Sequence, residues 1–356
     1  MRDITERFFQ MVRYALSEHN EIPHIHEEDW ASIYEMARRQ SVLAVIFDGV
    51  LRMGSEAHIP RHLKMKWFFM VGEIKKRNLL LNQRSVELTE QLQNDGFDCC
   101  VLKGQGNALM YPNPYVRTSG DIDLQVRGGR DAVLQYVRKR FPHTKAAFQH
   151  VDYPIFEHVP VEIHYLPVYM NNPVYNYRLQ RWFSDHADWL YGNKVSLPEE
   201  AGCIHIPSTA FNIVFQLAHM MHHYFDEGIG LRHMIDYYYL LEKAHQEKIS
   251  LSETVDKLGK LGLLNFAKAV MYIMHQVLGM DKDHLIVPMD SKRGEALLDE
   301  ILLGGNFGKY SGLTEHSIGM KNLLKYHRTF HFIRKYPGEA FCEPIFRTWH
   351  YFYRLR

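Results

Sequence analysis

Asp121 and Asp123 stand two positions apart in the stretch TSGDIDLQV, Thr118 to Val126, inside an otherwise apolar run. In a strand, side chains at i and i+2 share a face. The two carboxylates therefore project together, while Ile122 and Leu124 turn to the other side. Two anions this close repel one another unless positive charge lies between them. Hard divalent cations with oxygen ligands meet that need, and Mg²⁺ is commonly shared with substrate phosphates. A third carboxylate on a neighbouring strand completes such a set. VEIHYLPV supplies Glu162, between Val161 and Ile163, with His164 on the same face. Three carboxylates on two strands can hold two metal ions, one activating an attacking oxygen and the other steadying a leaving phosphate. A D-x-D pair at a strand edge is also a common solvated turn. The apolar alternation around this pair, and the loop before it, favour the metal site.

That loop carries the cationic half of the pattern. Lys103-Gly104 ends the preceding strand at the start of a short helix, and Gly104 and Gly106 would let backbone N–H groups approach a phosphate. Lys103 and Arg117 supply charge, and Ser119-Gly120 directly precedes Asp121. Further along, HMMHH spaces His219, His222 and His223 at i, i+3 and i+4. Histidines one turn apart can bind Zn²⁺, but no glutamate lies between them as in H-E-x-x-H. The alternatives are that they line a cleft or pack in a bundle. Arg232 and Asp236 are also one turn apart. They make either an intrahelical ion pair or an arginine that Asp236 holds toward a phosphate.

These residues need a sheet to hold them, and the hydrophobic pattern provides one. From Thr5 to about Gln93 the period is helical, in TERFFQMVRYAL, EEDWASIYEMARRQSVLAVIFDGVLRM and one long helix from LKMKWFF to the stop at Gly96. The period changes at Phe97. FDCCVLKG and DIDLQV read as strands, GRDAVLQYVRKRF as an amphipathic helix, and KAAFQHV, YPIFEHV and VEIHYLPV as three short strands. After Pro207 helices resume, beginning with a Ser/Thr cap before AFNIVFQLAHMMHHYF. GGNFGKYSGLTEHSIG reads as a mobile loop, and the chain from Asn322 on as helical, aromatic and basic. The predicted class is α+β: a small mixed sheet in 97–206, flanked by helical regions in 1–96 and 207–356.

Composition limits the functional classes. The chain has 356 residues and a net charge of +1, which argues against a broad basic surface for nucleic acid. Four cysteines do not make a disulfide framework. The charged N-terminal stretch lacks the apolar core of a secretory signal, and no apolar run reaches membrane-spanning length. A reducing, cytoplasmic setting without membrane association follows as the expectation.

Taken together, VLKGQGNALMYPNPYVRTSGDIDLQV resembles the signature of the uncharacterised nucleotidyltransferase family, a bacterial branch of the polymerase-β-like superfamily. The helix pair LAHMMHHYFDEGIGLRHMIDYYYLL is similar to the helices that follow that family's catalytic domain. The resemblance implies a D-x-D metal pair at Asp121 and Asp123, with Glu162 as third carboxylate, binding Mg²⁺ or Mn²⁺. It also implies transfer of a nucleotidyl group from a nucleoside triphosphate such as ATP, with Lys103, Gly104, Arg117, Ser119, Gly120, His222 and Arg232 as nucleotide-binding candidates. Two departures stand out: the wider superfamily places Gly-Ser or Gly-Gly on the phosphate turn, and its third carboxylate is more often Asp. The acceptor, whether small molecule, protein or RNA, does not follow from the resemblance. A non-enzymatic nucleotide-binding module on the same fold and a His/Asp phosphohydrolase built on His219, His222, His223 and Asp236 are the competing classes.

Overall fold

A computed structural model of the chain describes residues 2–17, 21–310, 326 and 329–354. Helices α1 (Arg2–Leu16), α2 (Trp30–Arg39) and α3 (Leu43–Met53) precede α4 (Arg61–Asn94). The apolar stretch around Gln40 does not run on as one helix: Ser41 takes a positive φ of 57° and divides α2 from α3. The 34-residue α4 is the long helix expected, and it closes just before Gly96, whose φ is +87°.

Four short strands follow: β1 (Cys99–Val101), β2 (Ile122–Val126), β3 (His150–Asp152) and β4 (Val161–His164). The sheet order is β1-β2-β4-β3. β2 and β4 are parallel and the outer pairs antiparallel, so the sheet is mixed. A parallel pair needs a crossover, and α6 (Gly129–Arg140) provides it, following the single helical turn α5 (Gln105–Ala108) and β2. Val133, Leu134 and Val137 of α6 share a core with Ile122, Leu124 and Ile163 on one face of the sheet. The opposite face carries the polar alternates Asp123, Gln125, Glu162 and His164.

Two expectations change here. YPIFEHV is not a strand. Its last ladder bond runs from Tyr153 N to Val161 O at 2.8 Å, and Pro154 next to it has no N–H to continue the pairing. Residues 169–206, for which the sequence suggested no elements, form α7 (Pro173–Asp185), α8 (Ala187–Tyr191) and a separate hairpin of β5 (Asn193–Leu197) and β6 (Gly202–Ile206).

The polar sheet face is roofed by α9 (Thr209–Asp226) and α10 (Leu231–Gln246). Ser208 caps α9 through Oγ to the Phe211 N–H, as its sequence position suggests. Helices α11 (Ser252–Leu258), α12 (Leu264–Tyr272) and α13 (Ser291–Gly304) and a C-terminal helix, Pro337–Arg354, follow. One apolar core joins α1 and α3 to α9, α10, α12 and α13, so the helices on either side of the sheet in sequence pack as one body. No described helix is long and apolar enough to cross a membrane. Residues 311–319 of the expected glycine-rich loop, and 322–325, 327–328 and 355–356 of the expected terminal helix, lie outside the described residues.

Candidate active site

Strand pairing places the carboxylates. In the parallel β2–β4 ladder Asp123 is the register partner of Glu162, and Gln125 that of His164. Cross-strand partners point to the same face, so Asp123 and Glu162 are neighbours on the polar face, with Asp121 at its entrance. They border a cavity of about 780 Å³ together with Lys103, Gly104 and Gly120. Its other wall comes from α9 and α10, through His219, His222, His223, Arg232 and Asp236.

The sheet side is tied together by charge. Asp123 is buried, 4% exposed, with Oδ2 3.0 Å from Lys103 Nζ and Oδ1 3.1 Å from His164 Nε2. Burial alone would raise its pKa, but the Lys103 charge and the His164 hydrogen bond outweigh it and hold the carboxyl well below the usual range. Glu162 Oε2 lies 3.3 Å from His164 Nε2 and 3.2 Å from His150 Nδ1. Burial opposes its ionisation, yet the His164 bond holds its pKa down. Burial would likewise drive the proton off His164, but the two carboxylates reverse this and push it up to about 9. His164 is thus an imidazolium at neutral pH, the internal positive charge between buried Asp123 and half-buried Glu162.

Asp121 differs. It opens into the cavity and has no hydrogen bond or ion pair among the described residues. The negative charge of Asp123, followed by burial, raises its pKa. An unpaired carboxylate facing a cavity beside a second one, with Glu162 next to that, is a donor set of hard oxygens with charge left to neutralise. Hard oxygens of this kind suit a divalent ion such as Mg²⁺, although among the described residues the three carboxylates do not draw together into one metal-sized cluster.

On the helix side, burial holds His219, His222 and His233 neutral. Lys103 Nζ donates to His219 Nε2 at 2.8 Å, and His223 Nε2 lies 3.1 Å from the same atom. Burial, then the neighbouring cations, lowers the pKa of His219 and His233 well below normal. Burial and His223 bring His222 to about 4, its ring resting 4.4 Å from that of Tyr169. His219, His222 and His223 do not form a three-donor metal cluster among the described residues.

Arg232 reaches the cavity from α10. It donates through one terminal nitrogen to Thr118 O at 2.9 Å, lies 5.1 Å from the centre of the Phe307 ring, and leaves Nε without a partner among the described residues. Its expected ion pair with Asp236 is absent. Asp236 instead takes a bidentate pair from Arg117, at 2.8 and 2.7 Å, with Tyr111 Oη donating at 2.7 Å and Asn107 at 3.2 Å. The planar fork of Arg117 matches a carboxylate better than a single-turn helical contact can. Arg117 also donates to Ser119 Oγ at 2.9 Å. Arg117 and Ser119 therefore brace the loop leading into β2, and of the two it is Arg117 that borders the cavity.

The two glycines of KGQG have different uses. Gly104 borders the cavity with φ +54°, a left-handed conformation that favours glycine. Gly106 is packed away from it, where a Cβ would come within 2.9 Å of Ile206. Sequence reasoning passed over His150, His233 and Phe307. His150 sits on a three-residue edge strand, and Phe307 lies in the loop after α13, with its ring 5.1 Å from that of His233.

No curated protein and no solved structure shows significant similarity to the chain. A family model described as an uncharacterised nucleotidyltransferase matches residues 26–279, from before α2 through the sheet, both cavity walls and α12, and the chain belongs to that family.

Proposed function

We propose that this chain transfers a nucleoside monophosphate from a nucleoside triphosphate to an acceptor hydroxyl, releasing pyrophosphate. Membership of a nucleotidyltransferase family supports the general reaction. The observation that carries the specific reading is the opposition of two differently charged walls across one cavity: Asp121, Asp123 and Glu162 on the sheet, and Arg232 on α10.

Asp121, Asp123 and Glu162 would hold Mg²⁺ or Mn²⁺. When bound, such an ion supplies charge neutralisation for the triphosphate and acidifies a coordinated hydroxyl. The chain's own groups do the rest. Arg232 binds phosphate oxygens through its guanidinium, whose Nε has no partner among the described residues. Lys103 adds positive charge beside Asp123. His164 keeps Asp123 and Glu162 oriented and ionised. The Arg117–Asp236 pair fixes the loop that delivers Asp121, and neutral His219, His222 and His233 exclude water without adding charge. In this reading residues 97–206 are the catalytic core and 207–356 supply the far wall. The described cysteines are all free, in keeping with a cytoplasmic setting.

The test is incubation of the protein with Mg²⁺ or Mn²⁺, cell extract and each nucleoside triphosphate, labelled in parallel at the α- or the γ-phosphate. The reading requires α-label in an acceptor with pyrophosphate released. γ-Label in the acceptor means phosphoryl transfer and overturns it. Tight binding of triphosphate with neither label transferred makes the chain a binding module.

A further inference from the structure

We propose that His150, Glu162 and His164 form a second cation site beside the Asp121–Asp123 pair, for a divalent transition-metal ion of the zinc or cobalt kind. Strand register creates it. In the antiparallel β3–β4 ladder His150 is the partner of His164, and Glu162 lies two residues from His164 on the same face. One donor atom from each residue falls within 4.8 Å of the others. The two nitrogens approach the same Glu162 oxygen at 3.2 and 3.3 Å. Ligand atoms around a tetrahedral ion with bonds of about 2.0–2.1 Å stand about 3.3 Å apart.

Two details favour an ion over a hydrogen-bonded cluster. The Nδ1 atom of His150 is buried and has no hydrogen-bond partner among the described residues, although Glu162 Oε2 is 3.2 Å away. Close approach without hydrogen-bond alignment fits lone pairs that converge on a third point. His164 Nδ1 lies 3.3 Å from the carbonyl oxygen of Leu166. That contact suits Nδ1 as the protonated nitrogen and leaves Nε2 to coordinate, the usual outer support of a metal-bound histidine. Binding would displace the proton that Nε2 shares with Asp123 and Glu162. Two imidazoles and one carboxylate suit Zn²⁺ or Co²⁺ far better than Mg²⁺, which prefers oxygen and octahedral geometry. His150 and Glu162 both border the cavity, so the open fourth position faces it. The site stands whether or not the chain transfers nucleotides, because its readout is a bound ion and not turnover.

The full-length chain, stripped with a chelator and freed of any purification tag, is titrated with Co²⁺ in excess Mg²⁺ and followed by visible absorption. One equivalent should bind, with the intense bands of a four- or five-coordinate ion, and Zn²⁺ should displace it. His150→Gln should weaken binding at least about tenfold. His150→Asp, which offers oxygen for nitrogen, should retain an ion with shifted bands. The double variant His219→Ala/His223→Ala should behave as wild type. Displacement of Co²⁺ by Mg²⁺ in the wild-type chain overturns the proposal, and that comparison needs no variant to fold. So does loss of the bands in the His219/His223 variant, or their persistence unchanged in a folded His150→Gln.

Discussion

The two walls of the cavity bury ionisable groups to a similar depth and treat them in opposite ways. On the sheet, burial is overruled: His164 is pushed up to about 9, and Asp123 and Glu162 stay ionised. On α9 and α10, burial prevails: His222 falls to about 4, and His219 and His233 fall well below normal. The difference lies in the partners. His164 touches two carboxylates at 3.1 and 3.3 Å, whereas His219 touches Lys103 and another imidazole. Desolvation penalises every buried charge, and only a contacting opposite charge restores it. The cavity therefore has an ionised floor and a roof whose His219, His222 and His233 are neutral, which also carries Asp226 and Glu227, and from which Arg232 projects without a carboxylate contact among the described residues. Such a division suits a ligand that brings its own negative charge and a cation with it.

The largest expected effect comes from neutralising the floor. Asp123→Asn removes one charge at nearly constant shape, and transfer should fall by more than about 100-fold, beyond what loss of an outer support to a metal costs. Near-normal turnover in a folded Asp123→Asn would remove the floor from the chemistry. Next is the brace. Asp236→Asn leaves Arg117 buried without its counter-charge and should cost about 3–5 kcal/mol in urea unfolding. A loss below 1 kcal/mol would mean that water reaches the pair. On the roof, Arg232→Ala should weaken triphosphate binding by roughly 10- to 100-fold, about 1.4–2.8 kcal/mol, with little change in melting temperature. Arg232→Lys should recover part of this. Early melting with unchanged binding would make Arg232 structural.

A different kind of effect, on pH-dependent stability, lies outside the cavity. Glu339 of the C-terminal helix is buried and accepts backbone N–H bonds from Asn171 and Asn172. Burial outweighs those bonds and pushes its carboxyl up to about 7 from an ordinary 4.5. A raised carboxyl binds its proton more tightly in the folded state. Its contribution is therefore greatest below about pH 4.5 and is lost as pH rises toward 7, by at most about 3 kcal/mol. Glu339→Gln should flatten the pH dependence of melting across that window. An unchanged profile would show that Glu339 does not titrate there. The smallest effect belongs to the roof histidines. With His222 neutral above about pH 4, His222→Gln should leave the pH profile of triphosphate binding unchanged between pH 5.5 and 8. A shifted profile would mean that the roof carries charge.

The floor was legible in the sequence because it follows local rules. Alternation across Ile122 and Leu124 placed Asp121 and Asp123 on one face, and the same rule joined Glu162 to His164. The long helix before Gly96 and the capped helix at Ser208 were equally local. What escaped depends on long-range pairing. Helical spacing joined Arg232 to Asp236, but Arg117, 119 positions from Asp236, won the carboxylate with a bidentate grip. Gly106 suggested a phosphate turn and instead makes room for Ile206, a residue of the hairpin that sequence periodicity did not reveal. His150 lies on a strand too short to show a period, and only its register with His164 gives it a place in the site.

The most direct test of the central claim is a crystal structure of the chain with Mn²⁺ and a non-hydrolysable nucleoside triphosphate. The account predicts an anomalous peak between the Asp121 and Asp123 carboxylates, a triphosphate spanning from that ion, and its oxygens within hydrogen-bonding distance of Arg232. A nucleotide bound outside the cavity, or one inside it with no metal at Asp121 and Asp123, would contradict the account.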